Sequence, residues 1–244
     1  MNTKEFIEKI KAQEIDIVEH TYKLIEECKE INKEYDYFNA IAEDLALNSA
    51  REIKIQLKQK AKIKNKKLLG AAISVKDAIC VKDVETTAGS KILQGYKPLF
   101  DAFVIQKVKE EGGIIIGKTS QDEFGFGGFS VNVGIGFKVP KNPFDRERSC
   151  GGSSGGAAGL AQKLSNHIAL GESTGGSIVE PASFCGVYGL CPTYGRVSRY
   201  GLIDLSMSLD QIGTLANNVE NAALLLSVIE GKDEKDTKTE DFGK

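Results

Sequence analysis

The chain has 244 residues, a formal net charge of −2, 41% apolar residues and 27% charged residues. This composition is typical of a soluble globular protein with one large or two small domains, and no run of 18 apolar residues predicts a membrane span. The first residues lack the apolar core of a signal peptide, and five cysteines without a CxxC pair predict free thiols in a cytoplasmic protein. Two scattered histidines argue against a metal site and against a Ser-His-Asp triad.

The first 65 residues are predicted to be helical. Apolar residues recur at steps of three and four, which places each set in one stripe on a helix. The two sets are Val18, Tyr22, Ile25 and Cys28, and Ala46, Ala50, Ile53 and Leu57. We expect residues 1–66 to form helices that pack on a main body formed by residues 67–244.

A basic stretch runs from Arg51 to Lys67 and contains eight basic residues and one acid. One interpretation is a solvated helix face that continues into a loop. The other is a surface for RNA phosphates, which basic clusters attract. No aromatic residue lies among these lysines, so base stacking is not expected there.

The apolar run from Leu68 to Val75 predicts a buried strand, and Lys76 follows at its end. Lysines are rarely buried without a partner, so a solvated side chain is the default expectation. A lysine that is removed from water instead loses its proton more readily and becomes a competent general base. The residues alone leave both alternatives open for Lys76.

Helices and strands alternate through the rest of the chain. Asp101 is predicted to cap a helix that runs to Glu111, and a β-branched strand follows at residues 114–116. Residues 112–119 match the phosphate-loop pattern GxxxxGK[ST]. A helix precedes this pattern and a strand fills its middle, which argues against nucleotide binding.

Residues 124–137, rich in glycine and aromatic residues, are predicted to form a loop. A helix is predicted at 154–164, strands at 167–171 and 187–190, and a helix at 218–230 that Gly231 closes. This alternation predicts an α/β fold with a largely parallel or mixed sheet.

Two serines each follow a pair of glycines, Ser153 in GGSSGG and Ser177 in TGGSI. Glycine leaves backbone N–H groups uncovered, so a serine on such a loop can be presented together with amide donors. One Gly-Gly-Ser is also typical of a flexible turn. Two within one compact stretch, between apolar runs, favour a site for nucleophilic chemistry that uses no histidine.

Together with PASFCG at 181–186, PTYGRVSRYGL at 192–202, AGSKIL at 88–93 and SLDQIG at 208–213, these segments resemble the amidase signature family. Within that family they are similar to the A subunits of the aspartyl/glutamyl-tRNA amidotransferases, from about residue 15 onward. The resemblance implies the amidase-signature fold, a mixed sheet flanked by helices. Members are considerably longer, so the chain corresponds to the N-terminal part of that domain.

The resemblance also implies a Ser-Ser-Lys triad. Ser177 is the nucleophile, Lys76 is the base, and Ser153 bridges them after a cis peptide bond to Gly152. An oxyanion hole would be formed by the backbone N–H groups of Thr174, Gly175, Gly176 and Ser177.

The implied activity is that of a glutaminase, which releases ammonia for the amidation of Glu-tRNA(Gln) or Asp-tRNA(Asn) at a partner subunit. No cofactor is expected in this chain, since ATP and Mg²⁺ would belong to that partner. tRNA would be an indirect partner. The C-terminal half of the domain would come from a second polypeptide if the gene is split.

Several positions differ from the usual family text, GSDTGGSIR and KPT. Ser173 replaces an aspartate, Val179 an arginine and Cys191 a lysine. Loss of one acid and two bases motivates a second hypothesis, that the chain is a degenerate, non-catalytic scaffold in an assembly. A third hypothesis is a stand-alone amidase that acts on small amides.

Overall fold

A computed structural model describes residues 3–59 and 62–242. Within them lie six strands, β1 (Phe38–Ile41), β2 (Ala72–Lys76), β3 (Ile114–Thr119), β4 (His167–Ser173), β5 (Tyr188–Leu190) and β6 (Gln211–Ala216). They form one sheet in the order β1-β3-β2-β4-β6-β5. The central strands β3, β2 and β4 are parallel, whereas β1, β6 and β5 run antiparallel to their neighbours. The predicted α/β fold with a mixed sheet is confirmed.

Helices cover both faces of this sheet. They are α1 (Thr3–Lys11), α2 (Ile17–Tyr35), α3 (Glu43–Lys58), α4 (Phe103–Glu110), α5 (Gly155–Lys163), α6 (Val179–Cys185) and α7 (Val219–Ile229). One apolar layer joins the sheet to α1, α2, α3, α5 and α6, and the other joins it to α4 and α7. No helix within the described residues is long and apolar enough to cross a bilayer.

The strand β2 places Lys76 on the face that α5 covers. Side chains alternate along a strand, and Ile73 and Val75 belong to the apolar layer of α4 and α7. Ser74 and Lys76 therefore point to the opposite face. The strand begins at Ala72, later than the predicted Leu68, because the chain turns at Gly70 with φ of +78°.

The prediction of helices in the first 65 residues is confirmed for α1, α2 and α3, but residues 38–41 are a strand. The α3 stripe is buried as predicted. The α2 stripe is rotated, because Tyr22 is 54% exposed while Ile17, Thr21 and Leu24 are buried. The helix α2 ends at its C-cap Asp36, which has a left-handed backbone conformation. The Asn32 side chain accepts the Phe38 N–H at 2.7 Å where the chain enters β1.

In the basic stretch, Arg51 and Lys58 lie exposed on α3, and Lys67 lies exposed just before β2. Lys54 donates to Asp16 at 2.5 Å. Lys60 lies outside the described residues. Both interpretations of this stretch, a solvated face or an RNA surface, stay predictions.

One prediction around α4 was wrong, whereas the helix and the strand predicted around residues 112–119 are present as α4 and β3. Asp101 does not cap the helix, which follows Ala102 without a side-chain cap; its carboxylate accepts from Lys109 and from the Lys82 N–H. Lys118 of the phosphate-loop pattern lies inside β3 and is fully buried. Its ammonium pairs with Asp77 at 3.2 Å. Burial lowers the pKa of Lys118, and Asp77 opposes this shift.

Other elements follow the predictions more closely. The helix α5 and the long loop at 124–137 are confirmed, apart from one short turn of 3₁₀ helix at Glu123–Gly125. Asn218 caps α7 by accepting the Asn221 N–H at 2.8 Å. The strand β6 and the short helix α6 were missed, although both lie beside the site described next.

Candidate active site

Lys76 and Ser153 meet in the interior of the protein. The Lys76 Nζ lies 2.7 Å from the Ser153 Oγ, and neither side chain is appreciably exposed. Lys76 is the last residue of β2, and Ser153 belongs to the loop that leads into α5. Lys76 is therefore buried and not solvated, and the strand and the glycine loop bring together two residues 77 positions apart.

The loop before Ser153 is held against a second glycine-rich loop. The peptide bond between Gly152 and Ser153 is cis, as the resemblance implied. A Cβ at Gly152 would overlap the Asp122 carboxylate and the Ser130 N–H, so only glycine permits this approach. The buried Asp122 accepts the N–H groups of Ser130 at 2.9 Å and Asn132 at 2.8 Å, which fixes the loop at 124–137 beside the site.

Ser177 lies at the turn that leads into α6. It is 8% exposed, and its main-chain oxygen accepts the Ser154 N–H at 3.2 Å, so its backbone lies beside the Ser153 loop. No hydrogen bond in the described residues joins the Ser177 Oγ to Ser153. Ser177 lines an open cavity of about 400 Å³ together with Gly125, Phe126, Gly127, Gly128, Thr174, Gly175, Gly176, Glu180 and Leu205.

The backbone donors at residues 174–177 differ in their availability. The Gly176 N–H donates to the Ser173 Oγ at 3.1 Å. Within the part of the chain that the structure describes, the N–H groups of Gly175 and Ser177 have no hydrogen-bond partner. Both residues line the cavity, and uncovered N–H donors in such a position can bind a developing oxyanion.

Sequence reasoning missed Glu172, which makes the closest ionic contact of the site. Its Oε2 lies 2.7 Å from the Lys76 Nζ, and its main-chain oxygen also accepts from that nitrogen at 3.0 Å. The carboxylate is buried, as Lys76 is. The signal was present in the sequence, since an acid in the otherwise uncharged strand IALGES is unusual at a buried position.

Ser173, Val179 and Cys191, which differ from the usual family text, have different surroundings. The Ser173 Oγ accepts the Gly176 N–H, and the Cys191 Sγ contacts the Gln211 Oε1 at 3.4 Å. Burial raises the pKa of the Cys191 thiol, and a hydrogen bond with Ser173 opposes this shift. Val179 is 48% exposed at the start of α6. None of the three contacts Lys76, Ser153 or Ser177 through a hydrogen bond.

A cluster of His, Cys, Asp and Glu that could hold a metal ion is not found among residues 3–59 and 62–242. The site consists instead of two hydroxyls, one lysine and one carboxylate around a glycine-rich wall. Comparison with known proteins gives this arrangement its context. The amidase family model matches residues 19–243. The chain belongs to the amidase family.

Individual proteins of known description are also similar to this chain in sequence. This amidase-family chain is 42% identical over 242 residues to the A subunit of the glutamyl-tRNA(Gln) amidotransferase of Carboxydothermus hydrogenoformans, covering 99% of the chain and 49% of that protein. Its identity to the protein of the same description from Natranaerobius thermophilus is 44% over 242 residues, covering 99% of the chain and 48% of the relative. The amidase chain therefore spans about half the length of these curated relatives.

A solved structure shows that the fold itself is shared. It is described as an unexpected vestigial protein complex that reveals the evolutionary origins of an s-triazine catabolic enzyme, with an inhibitor bound. The match has a TM-score of 0.92 at 31% identity and covers 98% of this chain and 52% of that one. The amidase fold predicted from the motifs is thus confirmed over nearly the whole chain.

Proposed function

We propose that this chain is the N-terminal, catalytic part of a glutaminase subunit in a tRNA-dependent amidotransferase. The observation that carries the proposal is the buried 2.7 Å contact between Lys76 and Ser153, beside the cavity that Ser177 lines. A lysine out of water can accept a proton, and a serine can relay one. The relatives described as A subunits of glutamyl-tRNA(Gln) amidotransferases support glutamine as the substrate.

In the proposed reaction, the Ser177 Oγ attacks the side-chain amide carbon of glutamine. The Ser177 proton passes to the Ser153 Oγ while the Ser153 proton passes to the Lys76 Nζ. The N–H groups of Gly175 and Ser177 stabilise the oxyanion. The proton then returns by the same path to the leaving nitrogen, ammonia departs, and water hydrolyses the acyl-enzyme to glutamate.

The proposed assembly has at least two further components. A partner subunit with ATP and Mg²⁺ would use the ammonia to amidate Glu-tRNA(Gln) or Asp-tRNA(Asn) in the cytoplasm. A polypeptide segment equivalent to the other half of the relatives would complete the domain and supply the remaining contacts to glutamine. The match to a chain from a protein complex is compatible with such an assembly.

Covalent labelling of Ser177 by a sulfonyl fluoride, with ammonia release from glutamine measured in parallel, tests the proposal. We expect labelling and release in the assembled protein, and loss of both in Ser177→Ala. Ser153→Ala should lower the labelling rate by about 10²–10⁴-fold, the usual contribution of a positioned proton carrier. Ser183→Ala, which removes an exposed serine of α6, is the matched control and should label normally.

The scaffold hypothesis predicts a different result. A folded, fully assembled complex that neither labels at Ser177 nor releases ammonia would refute the glutaminase proposal. Ammonia release by the chain without any partner or tRNA would favour the hypothesis of a stand-alone amidase.

A further inference from the structure

A continuous series of hydrogen-bond contacts extends from Ser153 through Lys76, Glu172 and Thr174 to Asp210. The Lys76 Nζ contacts the Ser153 Oγ and the Glu172 Oε2, each at 2.7 Å. The Glu172 Oε1 lies 3.0 Å from the Thr174 Oγ1, which lies 2.6 Å from the Asp210 Oδ1. The series links two carboxyl groups to the lysine of the candidate active site through one threonine hydroxyl.

The far end of the series is the Asp210 carboxyl group, whose two oxygens both have hydrogen-bond partners. The other oxygen of Asp210, Oδ2, accepts the backbone N–H groups of Leu205 at 2.8 Å and Ser206 at 2.9 Å. Hydrogen bonds from N–H groups favour the ionised form of a carboxyl group. The Thr174 hydroxyl is the donor available for Oδ1, and the short 2.6 Å contact indicates that its proton points there.

Thr174 has one hydroxyl proton and two carboxyl neighbours. With that proton given to Asp210, the Thr174 oxygen can only accept from Glu172. The 3.0 Å contact between the Glu172 Oε1 and the Thr174 Oγ1 is therefore a hydrogen bond only if Glu172 carries a proton on Oε1. A bare carboxylate there would place two acceptors against each other.

With the proton on Glu172, each contact of the Lys76 Nζ also has one donor and one acceptor. A neutral amine has two N–H groups and one lone pair. The two N–H groups match the Glu172 main-chain oxygen at 3.0 Å and the Glu172 Oε2 at 2.7 Å. The lone pair then accepts the Ser153 hydroxyl. Five protons, from Ser153, Lys76, Glu172 and Thr174, fill the five contacts.

An ion pair of Glu172 and Lys76 contains the same number of protons but distributes them less favourably. The ammonium would donate to all three of its neighbours, so Lys76 would have no lone pair for Ser153. Glu172 and Asp210 would both be anions around the single Thr174 proton. Like charges that share a buried site favour protonation of one of them, and burial adds a desolvation cost to separated charges.

We propose that Glu172 holds, in the resting site, the proton that Lys76 must lack in order to act as a base. Glu172 is thus a positioning residue for the proposed glutaminase reaction, and the inference rests on that proposed function. Thr174 and Asp210 keep the proton on Glu172 Oε1. During attack, the Ser153 proton moves onto the Lys76 lone pair, and the ammonium formed lies 2.7 Å from the Glu172 Oε2.

Infrared spectroscopy of the natural protein, with whatever partners co-purify with it, tests the proton position directly. At neutral pH we expect a carbonyl band of a protonated carboxylic acid that shifts on ¹³C labelling of glutamate and is absent in Glu172→Gln. Absence of this band in the wild-type protein would overturn the proposal. Thr174→Ser, which keeps the hydroxyl, should retain the band, whereas Thr174→Val should shift or abolish it.

Labelling of Ser177 supplies a functional readout. The amide in Glu172→Gln still offers a hydrogen-bond donor and an acceptor. The side chain in Glu172→Met has a similar size but offers neither. We expect labelling to be about tenfold slower in Glu172→Met than in Glu172→Gln. Equal rates in the two variants would contradict the proposal. If the wild-type protein is not labelled at all, the glutaminase proposal fails, while the infrared band still decides where the proton lies.

Discussion

His167 and Lys76 lie fully buried on the neighbouring strands β4 and β2, yet their surroundings differ. Lys76 has three polar contacts within 3.0 Å, one of them with the Glu172 carboxyl group. The only polar contact of the His167 ring is between Nε2 and the Ser74 Oγ at 2.8 Å, and Nδ1 has no partner among the described residues. Burial lowers the pKa of His167 to about 3, so the ring is neutral near neutral pH.

This shift makes His167 a source of acid sensitivity. Because its pKa is lower in the folded than in the unfolded state, the unfolded chain binds more protons between pH 6.5 and 3. Stability is therefore complete above about pH 6.5 and declines as the pH falls. Relative to His167→Gln, the wild-type free energy of unfolding should fall by about 2 kcal/mol between about pH 6.5 and about pH 5.

Denaturant unfolding of both proteins across this pH range measures the difference. His20→Gln is the comparison variant: burial lowers the pKa of His20 in the same direction, but this ring is only partly buried, so we expect a smaller effect of pH. Parallel curves for wild type and His167→Gln would show that the ring is not the titrating group.

At the scale of the element, α5 places Ser153 by lying close to the sheet. Its sequence GGAAGLAQK is rich in small residues, and residues Gly155 to Ala161 are all buried. A Cβ at Gly159 would overlap the ring of the buried Tyr37, which precedes β1. The glycines therefore serve close packing, although glycine weakens a helix interior.

Gly159→Ala sets these two effects against each other. Alanine would favour the helix by about 1 kcal/mol, whereas overpacking a core costs about 1–3 kcal/mol. Because the overlap is with a rigid aromatic ring, we expect overpacking to dominate and the free energy of unfolding to fall by about 1–2 kcal/mol. Gln162→Ala, on the partly exposed side of α5, should change it by less than about 0.5 kcal/mol.

Chemical denaturation of the two variants distinguishes these contributions. A Gly159→Ala protein more stable than the wild type would mean that Tyr37 can move aside and that helix propensity dominates.

At the scale of the whole molecule, the sheet ends in a short strand with an apolar surface around it. The strand β5 pairs only with β6 among the described strands, and Tyr188 on it is 54% exposed. Other exposed apolar side chains in the flanking segments are Phe144, Val179, Phe184, Met207 and Leu209. Unpaired strand edges and exposed apolar side chains favour association with another chain.

We expect the chain alone to be poorly soluble or to bind a complementary chain at this edge. Tyr188→Lys, which places a charge on β5, should increase the monomer fraction in light scattering after size exclusion. Ile55→Lys, at an exposed position of α3, is the matched control and should have no such effect. A soluble, stable wild-type monomer at high concentration would count against the proposed edge.

Several features of this protein could be predicted from the sequence alone. The periodic stripe of α3, the helix predicted at 218–230 and the alternation of helices and strands depend on local spacing, which local physical chemistry determines. The two Gly-Gly-Ser segments marked the loops of the site, and the motif order indicated the family. The strands β1 and β6 were missed because residues 38–41 and 211–216 owe their strand conformation to their neighbours in the sheet.

Only the tertiary structure showed that the Lys76 side chain is buried and that Glu172 is its partner. A lysine after an apolar run is compatible with a solvated or a buried side chain, and the choice depends on what covers it. Glu172 lies 96 residues away along the chain and reaches Lys76 because β2 and β4 are adjacent and parallel. Residue spacing determines which side chains share one element, whereas contacts between elements, and with them the charges of a buried site, arise only when the sheet is assembled.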